Sequence, residues 1–389
     1  MLVCSRKLPK LLPRQKRATE DGRRMKSAFR RFLPALLALL IPAVAAASGS
    51  WRTVSGNLSP EEQWLPVSEY TGEIRITFLG DCTLGGESPS RYRTIDFASR
   101  IRENGMEFPF RELVRLTAED DLTVANLEGV LSDRKLSKAK KKYNFIGPAS
   151  YTEILTLGSV ECVTLANNHS HDYGEPGYKD TKAALENAGI CWFGTDAPAL
   201  WQSDEGLRIG FLGVSGSLSG DRAKQYRKQA EKLREAGCAA VITVMHAGTE
   251  YSYDPPDSYQ AQITGYAVPV SDLIIGHHPH VVQGYKLLDG VPAVYSLGNC
   301  SFGGNTKPKD FDALVVQAVL HFTEGELAQI DLHFHPISIS SDTHYNNYSP
   351  RFLTGPDAER VLKKLADSTG TELGEWDETE GAVVTVPVD

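Results

Sequence analysis

The feature that most constrains this chain is a short apolar run that recurs along it. Each run is rich in β-branched residues and ends abruptly in polar residues or glycine, which predicts a buried strand. Segments with helical spacing lie between some of the runs, as in residues 176–188 and 222–236, so the pattern predicts an α/β fold. The runs are IRITFLG (74–80), LTVAN (122–126), CVTLAN (162–167), LRIGFLG (207–213), AVITVM (240–245), LIIG (273–276) and AVYSLGN (293–299).

The end of the chain has a different pattern. Residues 314–322 and 327–335 alternate between apolar and polar more strictly than the earlier runs, which predicts an antiparallel pair. Residues 356–367 have the spacing of a closing helix, and residues 382–388 are consistent with a last strand. We therefore expect a main domain over 73–340 and a C-terminal extension, 341–389, that packs on it.

An export signal is predicted at the amino terminus, within residues 1–47. Basic residues precede the apolar stretch FLPALLALLIPAVAAA (32–47), which ends in small residues, and Ala45 and Ala47 fit a signal-peptidase site. An uncleaved anchor is the alternative, although the stretch is shorter than the roughly 20 residues of a spanning helix. Either interpretation places the rest of the chain outside the cytoplasm, secreted or membrane-anchored, and residues 48–72 are expected to be a linker.

Composition excludes several classes of protein. The chain has 389 residues, 41% of them hydrophobic and 23% charged, which is typical of globular proteins. Its net charge of -8 argues against nucleic acid as the main partner. No two cysteines form a CxxC pair, so a zinc ribbon or redox motif is not expected. Cys162 and Cys238 are expected to be small core residues.

Potential metal ligands follow nearly every predicted strand. Because ligand sites in open α/β sheets lie beyond the carboxyl ends of the strands, these side chains are expected to meet in space. A single aspartate after a strand is usually a turn residue or a helix cap, and a single buried histidine is usually a core residue. Clusters at five strand ends are hard to obtain by chance, so together they predict a metal site.

The residue types favour a particular chemistry. Carboxylate, imidazole and amide groups suit two divalent ions such as Mn²⁺, Zn²⁺ or Fe²⁺, and a pair of ions activates water for an in-line displacement. His169 is placed to act as general acid toward a leaving group. The predicted metal ligands are Asp81, Glu128, Asn168, His246, His278 and His280. The predicted substrate-binding residues are Asn126, Asp172, Glu250, Tyr251, His277 and Asn299.

Seven sequence blocks resemble, in the same order, those of the CapA family of capsule and poly-γ-glutamate synthesis. They extend over about residues 74–304, and ANNH-x-x-DYG and GHHPHVVQ are the most specific. The blocks are FLGDCTLGG (78–86), ANLEGVL (125–131), YNFIGP (143–148), LANNHSHDYGEPGYKDT (165–181), HAGTEY (246–251), IIGHHPHVVQG (275–284) and YSLGNCSFGG (295–304).

The resemblance implies a fold of the calcineurin-like metallophosphoesterase type, a four-layer α-β-β-α sandwich. It also assigns roles, because Asn168 and His169 match the superfamily's G-N-H block and the other predicted ligands match its remaining blocks. Two departures bear on the reaction. Thr83 stands where the superfamily has the histidine of D-x-H, and Asn126 and Glu128 replace the aspartates of G-D-x-x-D.

Three functions remain open on this basis. The first is a metal-dependent hydrolase, phosphoesterase-like, or a transferase that attaches polymer to the envelope. The second is a non-catalytic component of a capsule export complex that holds an anionic polymer such as poly-γ-glutamate. The third is an envelope-binding protein with a vestigial site. The basic run RKLSKAKKK (134–142) is either a solvated loop or an anion-attracting rim of the site.

Overall fold

A computed structural model describes residues 50–53, 69–88, 90 and 94–388 of the chain. The predicted export signal lies outside the described residues, as does most of the predicted linker. Four residues of that linker segment form strand β1, Ser50–Thr53, which pairs antiparallel with β9, Ala199–Gln202. This part of the segment is therefore an edge strand, because β9 offers an unpaired backbone edge.

The first sheet, sheet I, has the strand order β1-β9-β10-β11-β12-β14-β13. Its central strands β10, β11, β12 and β14 run parallel. They confirm four of the predicted runs. The remaining strands of sheet I are β10 (Arg208–Ser215), β11 (Ala240–His246), β12 (Leu273–His277), β13 (Val282–Leu288) and β14 (Val291–Leu297).

The second sheet, sheet II, has the order β19-β20-β17-β16-β2-β4-β7-β8, with β15 on β2 and β18 on β17. Strands β16 and β17 pair antiparallel, as predicted. Its strands are β2 (Gly72–Thr83), β4 (Leu122–Leu127), β7 (Cys162–Thr164), β8 (Cys191–Phe193), β15 (Asn299–Phe302), β16 (Asp312–Thr323), β17 (Glu326–Ser338), β18 (Arg351–Phe352), β19 (Trp376–Asp377) and β20 (Gly381–Pro387). A small third sheet joins β3 (Gly86–Glu87), β6 (Phe145–Gly147) and β5 (Val130–Leu131).

The helices of the described part connect these strands. The longer ones confirm the helical spacing of the sequence, including the closing helix. They are α1 (Phe97–Asn104), α2 (Val114–Thr117), α3 (Thr152–Leu157), α4 (Gly174–Asn187), α5 (Gly220–Glu235), α6 (Ser258–Ala267) and α7 (Gly355–Thr369), with 3-10 turns at Ala149–Tyr151 and Val268–Val270. Among the described residues, no helix combines the length and apolarity needed to cross a membrane.

Three hydrophobic cores stack these elements into layers. Phe78 of β2 and Ile242 of β11 belong to one core, so the two sheets pack face to face. Leu185 of α4 lies in a second core on the outer face of sheet II. Leu233 of α5 lies in a third core on the outer face of sheet I. The predicted α/β class is confirmed, and the order of the cores is that of an α-β-β-α sandwich.

The C-terminal residues complete the sandwich. Strand β20 extends sheet II by pairing with β17, and α7 places Val361 and Leu365 in the core between the sheets. The domain boundary at 340 itself stays a prediction. The described cysteines, including Cys162 and Cys238, are buried, as expected of small core residues.

The chain passes from sheet I to sheet II at Gly298, between β14 and β15. Gly298 has φ 74°, a conformation that glycine adopts without steric cost. Its carbonyl accepts a hydrogen bond from the Asp81 N–H at 3.0 Å, and the next residue, Asn299, pairs directly with Asp81. This crossing brings the carboxyl ends of strands from both sheets to one place.

Candidate metal centre

The predicted ligands come together where the two sheets meet. Asp81 lies near the end of β2, and Glu128 directly follows β4 in sheet II. His246 is the last residue of β11 in sheet I, and His278 and His280 follow β12. Because these strands end at the same edge of the sandwich, side chains far apart in the sequence converge there.

One group of ligand atoms is formed by Asp81, Glu128 and His280. A ligand atom from each lies within 4.8 Å of the other two, and all three residues are buried. His280 Nδ1 lies 3.1 Å from Asp81 Oδ2 and 2.9 Å from Asn299 Oδ1. These residues are arranged as a possible metal-binding group.

A second group surrounds His246. Its Nε2 atom lies 2.9 Å from Asn168 Oδ1, 3.0 Å from His278 Nδ1 and 3.7 Å from Glu128 Oε1. Ligand atoms about 2.1 Å from one ion, at octahedral or tetrahedral angles, lie about 3.0–3.4 Å apart. The spacing of the second group is close to that range.

Glu128 belongs to both groups. It is fully buried, and neither carboxylate oxygen has a hydrogen-bond partner among the described residues. A buried carboxylate without partners is costly, so both oxygens are available for a cation. The donor set therefore fits a divalent cation.

Burial and mutual charges shift the pKa values of these groups. Burial, with repulsion from Asp81, raises the pKa of Glu128 to about 8. Burial would also raise the pKa of Asp81, but the hydrogen bond and charge of His280 outweigh it and hold that pKa below its usual range. Burial, with repulsion from His278, lowers the pKa of His246. Neutral imidazoles are the form that binds metals.

The backbone after β12 positions the histidines. His278 has φ 100° and His280 has φ 58°, which are uncommon values for residues other than glycine. The backbone N–H of His278 donates a hydrogen bond to Asp81 Oδ2 at 3.3 Å. Such conformations persist where surrounding contacts hold them, and they cluster at functional sites.

Four of the predicted substrate-binding residues are buried, like the candidate ligands beside them, and their contact with a substrate stays a prediction: Asn126, Asp172, His277 and Asn299. Asn126 donates to Asp81 Oδ1 at 2.7 Å and lies 3.1 Å from His246 Nδ1. His277 Nδ1 lies 3.5 Å from Asp81 Oδ1.

The other two lie toward solvent. Glu250 is exposed, and Tyr251 is half-buried with its ring centroid 6.1 Å from that of His280. Thr83 is buried, with no hydrogen-bond partner for its hydroxyl among the described residues. The position of the superfamily's D-x-H histidine thus supplies no imidazole here.

His169 lies beside the second group. Its Nε2 atom is 3.8 Å from Glu128 Oε1, and its Nδ1 atom is 2.7 Å from Asp172 Oδ2. Asp172 also accepts a hydrogen bond from the Phe145 N–H at 2.6 Å. A carboxylate on Nδ1 fixes the ring and leaves Nε2 facing the ligands, which is the arrangement of an oriented acid or base.

Two contributors were missed from the sequence. Lys141 forms an ion pair with Asp172 Oδ1, and its Nζ donates to the Asn168 carbonyl at 2.7 Å. Asn167 donates to Asn126 Oδ1 at 3.0 Å and accepts from the His169 N–H. The basic run was the available signal for Lys141, but nothing in it separates this lysine from its neighbours.

Comparison with known proteins adds a family match. The model of the family described as "Bacterial capsule synthesis protein PGA_cap" matches residues 75–303. This range contains every residue of the two ligand groups, together with His169 and Lys141.

Individual relatives have related descriptions. The chain is 27% identical over 371 residues to "Capsule biosynthesis protein CapA" of Bacillus anthracis, covering 86% of this chain and 82% of that protein. It is 29% identical over 294 residues to "PGA biosynthesis protein CapA" of Bacillus subtilis (strain 168), covering 69% of this chain and 74% of that protein. A crystal structure of the protein TT1561 of Thermus thermophilus has a TM-score of 0.38 at 10% identity, covering 63% of this chain and 94% of that one.

Proposed function

The chain belongs to the bacterial capsule synthesis protein PGA_cap family, and from that premise we propose that it acts in making or exporting a capsule polymer. The printed names of its relatives in Bacillus support a role in capsule or poly-γ-glutamate biosynthesis. We further propose that the action takes place outside the cytoplasm and uses a dinuclear metal-dependent hydrolase or transferase site.

The observation that carries this proposal is the position of Glu128. Its two oxygens, which have no hydrogen-bond partner among the described residues, lie between the group of Asp81 and His280 and the group centred on His246. Asp81, Glu128 and His280 would hold one ion; Glu128, Asn168, His246 and His278 would hold the other. Bound divalent ions supply Lewis-acid polarisation of a substrate oxygen and activation of water.

The protein's own groups supply the rest of the chemistry. His169 Nε2 faces the ligand groups and is the donor of a proton to the leaving group. Asp172, 2.7 Å from Nδ1, keeps the ring in that orientation. Phe145 stacks on the His169 ring at 4.4 Å between centroids and shields one face from water.

A non-catalytic, polymer-binding component of an export complex is the second candidate. The observation that favours it is the pair of departures at Thr83 and Asn126. At position 126 the superfamily has a carboxylate, whereas the Asn126 side chain here is an amide that contacts Asp81 and His246 at hydrogen-bonding distance. A centre with one tightly held ion, or none, would then serve as a binding cleft.

Metal analysis of three variants tests the dinuclear proposal. Glu128→Gln should lose both ions, because the shared carboxylate becomes a neutral amide of the same shape. Asp81→Asn should lose one ion and keep that of the His246 group. His169→Ala should keep both ions while turnover on a phosphoester panel drops about 10²–10⁴-fold. His321→Ala, a half-buried histidine of β16 outside the centre, is the matched control.

The measurements are elemental analysis after reloading with Mn²⁺, Zn²⁺ or Fe²⁺, and circular dichroism to verify the fold. Less than one ion per wild-type chain in every case would exclude the dinuclear centre and favour the polymer-binding component.

A further inference from the structure

Two cysteines lie directly opposite each other on neighbouring parallel strands. Cys162 of β7 and Cys191 of β8 are register partners, and both lie in the core between the two sheets. Their thiols are hydrogen-bonding neighbours. Register partners on adjacent strands have Cα atoms roughly 4.8 Å apart and side chains on the same face, and disulfide bonds span Cα separations of about 4.4–6.8 Å. The two thiols are therefore placed to form a bond without movement of the backbone.

A second pair lies beside residues of the candidate metal centre. Cys82 of β2 follows Asp81, and Cys300 of β15 follows Asn299, which is the register partner of Asp81 on the parallel strand. Both thiols lie in the core on the outer face of sheet II and are hydrogen-bonding neighbours. A bond between them would join β15 to β2 next to the crossing at Gly298.

The fifth described cysteine lies apart from these pairs. Cys238 belongs to the core on the outer face of sheet I, whereas the pairs lie between the sheets and on the outer face of sheet II. A cysteine that serves only as a small core residue has no reason to lie next to another. The grouping of the other four into two contacts therefore indicates a bonding role.

The thiols of both pairs are inaccessible to an oxidant once the chain has folded. Cys82, Cys162 and Cys300 are fully buried, and Cys191 is 7% exposed. The bonds would therefore form during folding, by exchange with a disulfide-bearing oxidant. One cysteine thiolate attacks the oxidant's disulfide and releases one thiol, and the partner thiolate then attacks the mixed disulfide and releases the second. Two cysteine thiols and one oxidant disulfide thus give one protein disulfide and two oxidant thiols, which take up the two protons.

We propose that Cys82–Cys300 and Cys162–Cys191 close into disulfide bonds when the chain folds in an oxidising compartment. The structure has both pairs as thiols, and each bond would join neighbouring sulfur atoms. The proposal rests on the proposed location outside the cytoplasm, where disulfide bonds persist. The Cys82–Cys300 bond closes much the longer loop, so it should constrain the unfolded chain more.

Refolding of the reduced, unfolded protein with glutathione disulfide tests the pairing. The refolded protein is denatured, alkylated with N-ethylmaleimide and mapped by peptide mass spectrometry. Of the five described cysteines, we expect only Cys238 to be alkylated, with the other four recovered as two linked peptide pairs. Reduction before alkylation should make all five reactive. A chain that regains its circular dichroism spectrum with five reactive cysteines, or with other pairings, would overturn the proposal.

Variants assign the two bonds separately. Cys82→Ala should make Cys300 reactive and leave the peptides of Cys162 and Cys191 linked. Cys238→Ala removes a buried thiol outside the pairs and, as the matched control, should leave both bonds intact. Dithiothreitol should lower the urea midpoint of the oxidised wild type by on the order of 1 M, and that of Cys82→Ala by less. Equal shifts in these two proteins would overturn the Cys82–Cys300 bond.

The same mapping of protein from the native host separates the pairing from the proposed function. Both bonds in the host protein would support the pairing and the location together. Bonds that form on refolding but are missing from the host protein would leave the pairing standing and contradict the location. Two bound metal ions in a refolded chain with five reactive cysteines would leave the metal centre standing and overturn the disulfide bonds.

Discussion

Asp172 is a fully buried carboxylate whose charge is balanced by one partly exposed lysine. Its Oδ2 atom accepts from the Phe145 N–H and contacts His169, whereas Oδ1 has Lys141 as its ion-pair partner. The Lys141 ammonium group also donates a hydrogen bond to the Asn168 carbonyl, so it connects the loop before β6 to the loop after β7. This makes Lys141 different from the exposed lysines beside it.

Lys141→Ala should therefore destabilise the protein, in contrast to its neighbours. Removing one partner leaves a buried charge without compensation, and we expect a loss of about 2–3 kcal/mol in the free energy of unfolding. Lys140→Ala, at an exposed position, should change it by less than about 0.5 kcal/mol. Urea denaturation of both variants measures the difference, and equal stabilities would contradict the role of the Lys141–Asp172 pair.

The sequence predicted which polar residues meet where the two sheets converge better than it predicted the residues that orient them. Asp81, Glu128 and His246 could be found because each lies at or directly after the end of an apolar run, where the fold collects functional groups. Lys141 lies in a loop without periodicity, so only the folded chain shows which lysine enters the site. The sequence also could not predict the burial of Asn126 and His277, since the side chain of a polar residue after a strand can turn toward either side of the sheet.

At the scale of elements, the strands of the sandwich were predictable because they are buried on both faces. The apolar runs define them to within a few residues. Strand β7 is shorter than its run, because residues 165–167 leave the sheet to build the Asn168–His169 loop. Strand β1 could not be predicted, because its polar sequence gains a strand conformation only from pairing with the edge of β9.

The opposite ends of β4 and β7 carry carboxyl groups that form no ion pair with a basic side chain among the described residues. Asp120 Oδ2 accepts from the Thr123 hydroxyl and Glu161 Oε2 from the Thr123 N–H, each at 2.8 Å. Burial raises the pKa of Asp120 to about 7, and burial with repulsion from Asp120 raises that of Glu161 to about 8. Between pH 4 and these values the folded protein keeps protons that the unfolded chain has lost, so stability falls as pH rises.

Asp120→Asn should remove part of this pH dependence. The amide keeps an oxygen acceptor for Thr123 but has no charge to bury, so the variant should gain stability relative to wild type at pH 8 and not at pH 4. Partial exposure reduces the gain to the order of 1 kcal/mol. The measurement is urea denaturation at both pH values, with the exposed neighbour Glu119→Gln as the control. If the free energies of unfolding of Asp120→Asn and the wild type differ by the same amount at both pH values, the buried-carboxyl explanation is contradicted.

At the scale of the whole molecule, the proposed cleavage site and the fold are compatible. Cleavage after Ala47 would leave a chain that begins near Ser48, two residues before β1. The mature protein would then keep the strand that covers the edge of β9. An exposed sheet edge promotes association with other chains, so the position of cleavage has a structural consequence.

Two measurements test export and its relation to β1. N-terminal sequencing of the protein from its native host should begin near Ser48, and an intact chain in the cytosolic fraction would contradict export. Intact protein in the membrane would instead select the uncleaved anchor. A chain that begins at Ser48 should remain monomeric, whereas one that begins at Val54 lacks β1 and should self-associate at the edge of β9. Analytical ultracentrifugation at several concentrations distinguishes them, because only the shorter chain should show association that grows with concentration.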